Sequence, residues 1–225
     1  MTRPYDIVTF DCYGTLIDWE GGIAGAFAGA ARARGAALDP ARLLAAYHEI
    51  EPAVQAETYR SYRDVLAETA RRVAARLDWR LAADQARFLA DSVADWPAFP
   101  DTNPALERLA TAGYRLGILS NVDDDLLAGT RQRFTVPFSL IVTAEEAGSY
   151  KPAPGHFRAA RRHIGSDRWL HAAQSDFHDI RPARALGIAN AWINRKGERP
   201  AGGSQADREF RDLTGLADWL EKEGA

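Results

Sequence analysis

Apolar and polar positions follow two different grammars along this chain. Residues 5–10 form a short apolar run with Ile7, Val8 and Phe10, which predicts a buried first strand, and Gly14-Thr15 breaks it. From about residue 20 to 95 the period becomes helical and strand signal almost disappears. Ala24, Phe27, Ala28 and Ala31 recur at helical spacing, and Asp39-Pro40 is a start signal for a second helix through Leu43, Leu44 and Tyr47. Pro52 is expected to kink or end that helix. Further helices are predicted over about 61–77 and 82–93, and Trp96-Pro97-Ala98-Phe99-Pro100 closes the stretch. This is the pattern of a small helical bundle.

After Pro100 strands and helices alternate. A helix over 102–112 is stopped by Gly113, and Tyr114–Leu119 reads as a strand ending in Ser120-Asn121. A helix over about 124–133, a strand at 138–142 and a helix from Pro154 to near His163 follow. The strand Trp169–Ala173 runs into Gln174-Ser175-Asp176, Pro182 opens a helix stopped by Gly187, and a strand at 188–193 and a helix at 213–220 complete the series. Residues 197–206 read as a surface loop. Strands and helices at this spacing imply a parallel sheet covered on both faces. The whole is an alternating core with a helical insertion after its first strand.

Composition narrows the partners. At 225 residues the chain has room for one large domain, or a core and a smaller unit. The formal charge of -3 is too slight to attract a polyanion in bulk, so Arg71-Arg72 and Arg161-Arg162 read as solvated helix faces and no nucleic-acid partner is expected. Cys12 is the only cysteine, which excludes an internal disulfide and a cysteine metal cluster. No apolar stretch approaches the length of a membrane span and no basic lead precedes a long apolar run, so no membrane partner and a cytoplasmic location are the expectation.

Open parallel sheets bind ligands beyond the carboxyl ends of their strands. Four polar groups fall there: Asp11, Ser120-Asn121, Lys151, and the run from Gln174 to Asp179. A carboxylate at a strand tip is well placed to act as a nucleophile. Taken singly, each group has a plainer reading: Asp11 as a cap, Lys151 as a surface lysine, Asn121 as a turn residue. Their joint order is the signal.

That order resembles the haloacid dehalogenase superfamily along essentially the whole chain. Asp11-x-Tyr13-Gly14-Thr15-Leu16 resembles its first motif, Ser120-Asn121 the second, Lys151-Pro152 the third, and Gln174-Ser175-Asp176-Phe177-His178-Asp179 occupies the fourth. The resemblance implies an α/β fold: a Rossmann-like parallel sheet core over residues 1–17 and 97–225, and an inserted helical cap over 18–96 that closes over the active site. It also implies that Asp11 attacks an electrophilic centre and forms a covalent intermediate, with Lys151 holding Asp11 ionised and aimed. Ser120 and Asn121 would donate hydrogen bonds to the substrate's anionic group, and Thr15 would orient the first loop.

Phosphatases of the superfamily usually carry a second aspartate two residues after the nucleophile and use acidic residues of the fourth motif to hold magnesium. This chain has Tyr13 and Gln174 at those places. Both departures resemble the L-2-haloacid dehalogenase branch, which works without metal: halide is already a stable anion and needs no acid to leave. The expectation is a hydrolase that acts on a small-molecule 2-haloacid with inversion and needs no cofactor. Water would then attack the carbonyl of the ester on Asp11. Asp179 matches the residue that activates or positions that water, Asp176 would bind polar groups nearby and Ser175 would help orient the same loop, both as substrate-binding residues, and Tyr13 would line the pocket. The alternative is a phosphatase on a small phosphometabolite, with magnesium rescued by Asp176 or Asp179.

The resemblance weakens in the insertion. The branch is known for a cap arginine that engages halide or substrate, yet Tyr47-His48-Glu49 occupies the matching stretch, leaving Arg60 or Arg63 as candidates. Tyr47, Tyr59, Tyr62 and Trp96 are candidate lining aromatics with ordinary packing as the plainer reading. Glu20 would repel an anionic substrate unless paired. Apolar cap faces can pack internally or against a second copy, so a homodimer stays open.

Overall fold

The computed structural model describes residues 3–33, 35, 37–79, 81–199, 203 and 206–224. Strand β1 (Ile7–Phe10) is buried at every position, as expected for a central parallel strand. The helices α1 (Trp19–Arg32), α2 (Pro40–Gln55), α3 (Tyr62–Arg76), α4 (Phe88–Asp91) and α5 (Thr102–Thr111) come next. Then follow β2 (Arg115–Ser120), α6 (Asp124–Thr130), β3 (Leu140–Thr143), α7 (Ala144–Ala147), α8 (Gly155–Ile164), β4 (Trp169–Ala173), α9 (Arg181–Ala185), β5 (Ala189–Ile193), β6 (Arg208–Phe210) and α10 (Leu213–Gly224). Among the described residues the strands form one six-stranded sheet, in the order β3-β2-β1-β4-β5-β6, and every pairing is parallel. Winding runs outward from β1 through β2 to β3, then returns past β1 to β4. The β1/β4 boundary is therefore the switch point of the sheet, where α/β folds of this kind bind ligands.

The chain divides into two compact units. The first comprises Met1–Ile17, Ala98–Asn121 and Arg133–Ala225 and contains the sheet. Ile7, Leu119, Val142, Phe157, Ile164 and Trp169 pack in one of its buried clusters, each contributing roughly 1.5–3 kcal/mol by leaving water. Ile17 and Ala98 are paired as an antiparallel bridge. The Phe99 N–H donates to the Leu16 carbonyl at 3.0 Å, and the Thr102 hydroxyl donates to the same oxygen at 2.8 Å.

The second unit comprises Asp18–Pro97 and Val122–Gln132. Asp18 caps α1 by accepting the Gly21 N–H at 3.0 Å, and Asp39 caps α2 through the Ala41 N–H at 2.9 Å. Gly22 lets α1 lie against Trp96: a Cβ there would come within 2.3 Å of the indole. Phe27 and Phe88 meet edge to face at 5.0 Å between ring centres. Pro52 is tolerated inside α2, within its final turn.

Two elements differ from the sequence pattern. The helix expected over 82–93 is instead a 3-10 turn (Ala83–Arg87), α4 and a second 3-10 turn (Val93–Asp95). Ser92 helps to break it: its hydroxyl donates back to the Leu89 carbonyl at 2.7 Å and accepts the Trp96 indole N–H at 3.0 Å. Residues 122–132, read from sequence as part of the core, group with the helical unit. Asp123 helps to tie it there, since its two carboxylate oxygens accept the Tyr62 and Arg63 backbone N–H groups at 2.7 and 2.8 Å, and Asp125 pairs with Arg63. The loop read at 197–206 lies partly outside the described residues. None of the described helices is long and apolar enough to cross a membrane.

Candidate active site

Asp11 is the first residue beyond β1, and its own N–H donates to the Ala172 carbonyl of β4 at 3.1 Å. The nucleophile candidate is thus tied across the switch point by the backbone itself. Gly14, at φ 97°, makes the turn that follows. The Thr15 hydroxyl donates to Asp11 Oδ2 at 2.9 Å. The direction of that hydroxyl is set from behind, because Thr15 Oγ1 accepts the Gln174 N–H at 2.9 Å. Arg195 holds the loop in place, donating to the Thr15 carbonyl at 2.8 Å while gripping Asp101 through both terminal nitrogens at 3.0 and 2.9 Å.

Lys151, just after β3 and α7, reaches the other oxygen. Its ammonium donates to Asp11 Oδ1 at 2.9 Å, to Asp179 Oδ1 at 2.7 Å and to the Leu119 carbonyl at 2.8 Å. Three donors meet three acceptors, so a lysine exposed by only 2% keeps every hydrogen bond it needs. Burial works against its charge, but Asp11 and Asp179 outweigh that and raise its proton affinity. The two carboxylates split. Burial, assisted by Asp179, pushes Asp11 up despite Lys151 and Thr15. Asp179 is held well below the usual carboxylate range because Lys151 and His171 overcome its burial.

His171 is a partner that sequence reasoning missed. It lies on β4, fully buried, with Nε2 3.0 Å from the Asp179 Oδ1 that also receives Lys151. Its Nδ1 lies 2.9 Å from the Thr9 hydroxyl, which accepts the Trp169 indole N–H at 2.7 Å. An apolar-looking strand, Trp-Leu-His-Ala-Ala, thus carries a polar chain through the core. A lone histidine in such a run has no local signal.

The second motif is built from the inside out. Ser120 is fully buried, and its hydroxyl has no hydrogen-bond partner among the described residues. Its carbonyl lies 3.0 Å from His156 Nε2; burial pushes that imidazole down to about 4, with Lys151 adding to the effect, so Nε2 is the donor of a neutral ring. The Asn121 side chain braces Lys151, accepting its N–H at 2.7 Å and donating to its carbonyl at 3.0 Å. Asn121 therefore sets the Lys151 backbone, a role the sequence did not indicate.

The fourth motif forms a single π-helical turn, Asp176–Ile180. It buries Asp179 and brings Ser175 beside His178, with the hydroxyl 3.0 Å from Nδ1. Asp176 is paired with Arg181 at 2.6 Å. The Gln174 side chain turns to Glu198 at 3.2 Å, so this residue serves the site through its backbone. Tyr13 is half-buried, and its backbone bridges Ile17.

Among the described residues no group of three or more His, Cys, Asp or Glu side chains is placed to hold a metal. Lys151 bridges Asp11 and Asp179, and Arg181 engages Asp176.

Within the helical unit, both candidate cap arginines are in ion pairs: Arg60 with Glu57 at 2.6 Å, and Arg63 with Asp125 at 2.6 Å and Asp91 at 3.2 Å. Glu20 is paired with His48 at 2.7 Å, which meets the condition set for it above. Tyr47 and Trp96 are buried as packing residues, whereas Tyr59 is exposed.

Comparison with known proteins agrees with this geometry. Over 107 residues the chain is 32% identical to haloacid dehalogenase-like hydrolase domain-containing protein 3 of Danio rerio, covering 45% of this chain and 43% of that protein. Over 106 residues it is 30% identical to (S)-2-haloacid dehalogenase 4A of Burkholderia cepacia, covering 46% of each. The matched stretch thus spans less than half the length of either curated relative. The fold is shared with the crystal structure of the defluorinating L-2-haloacid dehalogenase Rha0230, at a TM-score of 0.82 and 24% identity over 98% of this chain and 99% of that one. The family model for haloacid dehalogenase-like hydrolases matches residues 5–188, and the chain belongs to that family.

Proposed function

We propose that this protein hydrolyses a small 2-haloacid through an ester on Asp11, without a metal. The observation that carries the reading is the single ammonium of Lys151, shared between the Asp11 and Asp179 carboxylates at 2.9 and 2.7 Å. A phosphoryl group next to a nucleophilic carboxylate needs more positive charge than one lysine supplies, and a dication is the usual source. A carbon–halogen centre carries no such charge. Tyr13 in place of a second carboxylate points the same way, since halide departs unprotonated.

In this reading Thr15 and Lys151 each hold one oxygen of Asp11, so the carboxylate is aimed before substrate arrives. Asp11 attacks carbon 2, a carbon–oxygen bond forms, and the halide leaves with its bonding pair as the centre inverts. The Ser120 hydroxyl takes the substrate carboxylate. Water then adds to the Asp11 carbonyl carbon, the acyl–oxygen bond breaks, and the 2-hydroxyacid departs. Asp179 balances the charge of Lys151 throughout. The names of the Burkholderia relative and of the defluorinating neighbour support a haloacid substrate.

The test is halide release from L-2-chloropropionate, haloacetates and fluoroacetate in the presence of a chelator. The expected outcome is turnover on at least one, unaffected by chelation, with Asp11→Asn inactive. Failure across the panel together with magnesium-stimulated release of phosphate from phosphometabolites would replace this reading with the phosphatase one.

A further inference from the structure

Once the ester has formed, Asp11 no longer carries a charge. Of the two carboxylates that Lys151 touches, Asp179 is then the anion that remains. What holds Asp179 therefore decides where the ammonium sits while the ester is opened. We propose that His171 is a positioning residue for this second half of the reaction: at the end of a buried donor chain that runs from Trp169 through Thr9, it fixes Asp179 and, through it, Lys151 beside the ester. This rests on the haloacid reading above and deepens it.

Sheet register builds the chain. Thr9 of β1 lies directly opposite His171 of β4, and Trp169 shares the His171 face of its strand because side chains alternate. The Trp169 indole N–H donates to the Thr9 hydroxyl oxygen at 2.7 Å, that oxygen lies 2.9 Å from His171 Nδ1, and Nε2 lies 3.0 Å from Asp179 Oδ1. Both ends have a fixed sense, since an indole only donates and an ionised carboxylate only accepts. Nε2 therefore carries a proton. A second ring proton, on Nδ1, would point at the Thr9 oxygen and leave the hydroxyl's own proton without an acceptor among the described residues, at a fully buried position. The Thr9 O–H thus donates to Nδ1, and every bond runs from Trp169 toward Asp179.

Asp179 is held by one oxygen. Its Oδ1 takes both the His171 Nε2–H and the Lys151 ammonium, so turning the carboxylate would unpair two buried donors at once. Phe157 packs edge to face against the imidazole, 5.2 Å between ring centres, which restrains the ring itself. During attack the ammonium is held from three sides, by Asp11, Asp179 and the Leu119 carbonyl. In the ester its ion pair with Asp11 becomes a hydrogen bond to an uncharged oxygen, and Asp179 becomes the main anchor. Loss of the His171 donor is therefore felt more after halide has left than before.

Three substitutions separate this role from a structural one. His171→Leu removes the donor, whereas His171→Gln keeps an amide N–H for Asp179 and an amide oxygen for the Thr9 proton. With 2-chloropropionate, His171→Leu is expected to release one equivalent of halide per site in a burst near the wild-type rate. Turnover then falls by about 10²-fold, and the ester accumulates on the Asp11 peptide, seen by mass spectrometry. His171→Gln should recover most of the turnover. Thr9→Val, nearly equal in size, should show a smaller loss of the same kind, and it carries the test if His171→Leu does not fold. Nitrogen-15 NMR of the wild type should find His171 protonated at Nε2 and bare at Nδ1. Wild-type turnover by folded His171→Leu, or by Thr9→Val in its place, would overturn the proposal. So would burst and turnover slowed equally, glutamine no better than leucine, or a proton on Nδ1. If the wild type itself releases no halide from any haloacid, the underlying reading fails and this role with it. A wild type that turns over beside any of the contrary outcomes sinks only the proposal.

Discussion

Lys151 sits between two carboxylates, and both buried charges depend on it. Replacing it by methionine leaves Asp11 and Asp179 facing each other without a cation. Breaking a buried pair in this way costs about 3–5 kcal/mol, to be read as a lower urea midpoint, and adding Asp179→Asn should recover part of the loss. The same contacts set a pH dependence. In the proposed reaction Asp11 must be ionised to attack, and burial raises its carboxyl above the ordinary 3.8. Single-turnover halide release should therefore fall as pH drops through a midpoint above 3.8. Thr15→Ala removes a hydrogen bond to the ionised form and should move that midpoint higher still. Asp11, Lys151 and Asp179 were legible in the sequence because each follows a strand with its motif neighbours. His171 and His156 were not, since a buried histidine within an apolar strand or helix has no marker until its partners arrive from residues 8 and 36 positions away.

At the scale of elements, the start of α3 draws its cap from a distance. Ser61 caps locally, accepting the Asp64 N–H at 3.1 Å, while Asp123 takes the two N–H groups ahead of it. Asp123→Ala should cost about 0.5–2 kcal/mol, measured by thermal or urea unfolding, and Asp123→Asn less. The strands were readable from their apolar runs, Trp169–Ala173 to the residue. Three features were not. Strand β6 is a short, mostly exposed Arg-Glu-Phe edge whose pairing depends on β5. The π-helical turn adds no composition signal. The α6 region groups with the helical unit through contacts made some 60 residues away, among them those of Asp123 and Asp125.

For the whole molecule, the division into two units predicts how an excision should behave. Replacing residues 19–96 by a short glycine-serine turn should leave the sheet unit folded only if Leu126 and Leu127, buried on α6, are also made polar. Circular dichroism and gel filtration of both versions would check this, with aggregation expected when the leucines remain. The bridge between Ile17 and Ala98 explains why such surgery is conceivable. Eighty-one positions apart in sequence, these two residues are neighbours, and the hydrogen bonds around them close the ring locally. Each doubling of a flexible connection adds only about 0.6 kcal/mol of closure entropy, and a folded insert adds less disorder than a flexible one. In the accounting of the sheet, the entire helical insert has the standing of a hairpin turn. Lengthening, shortening or exchanging what lies between those two residues should therefore leave the register of the six strands unchanged.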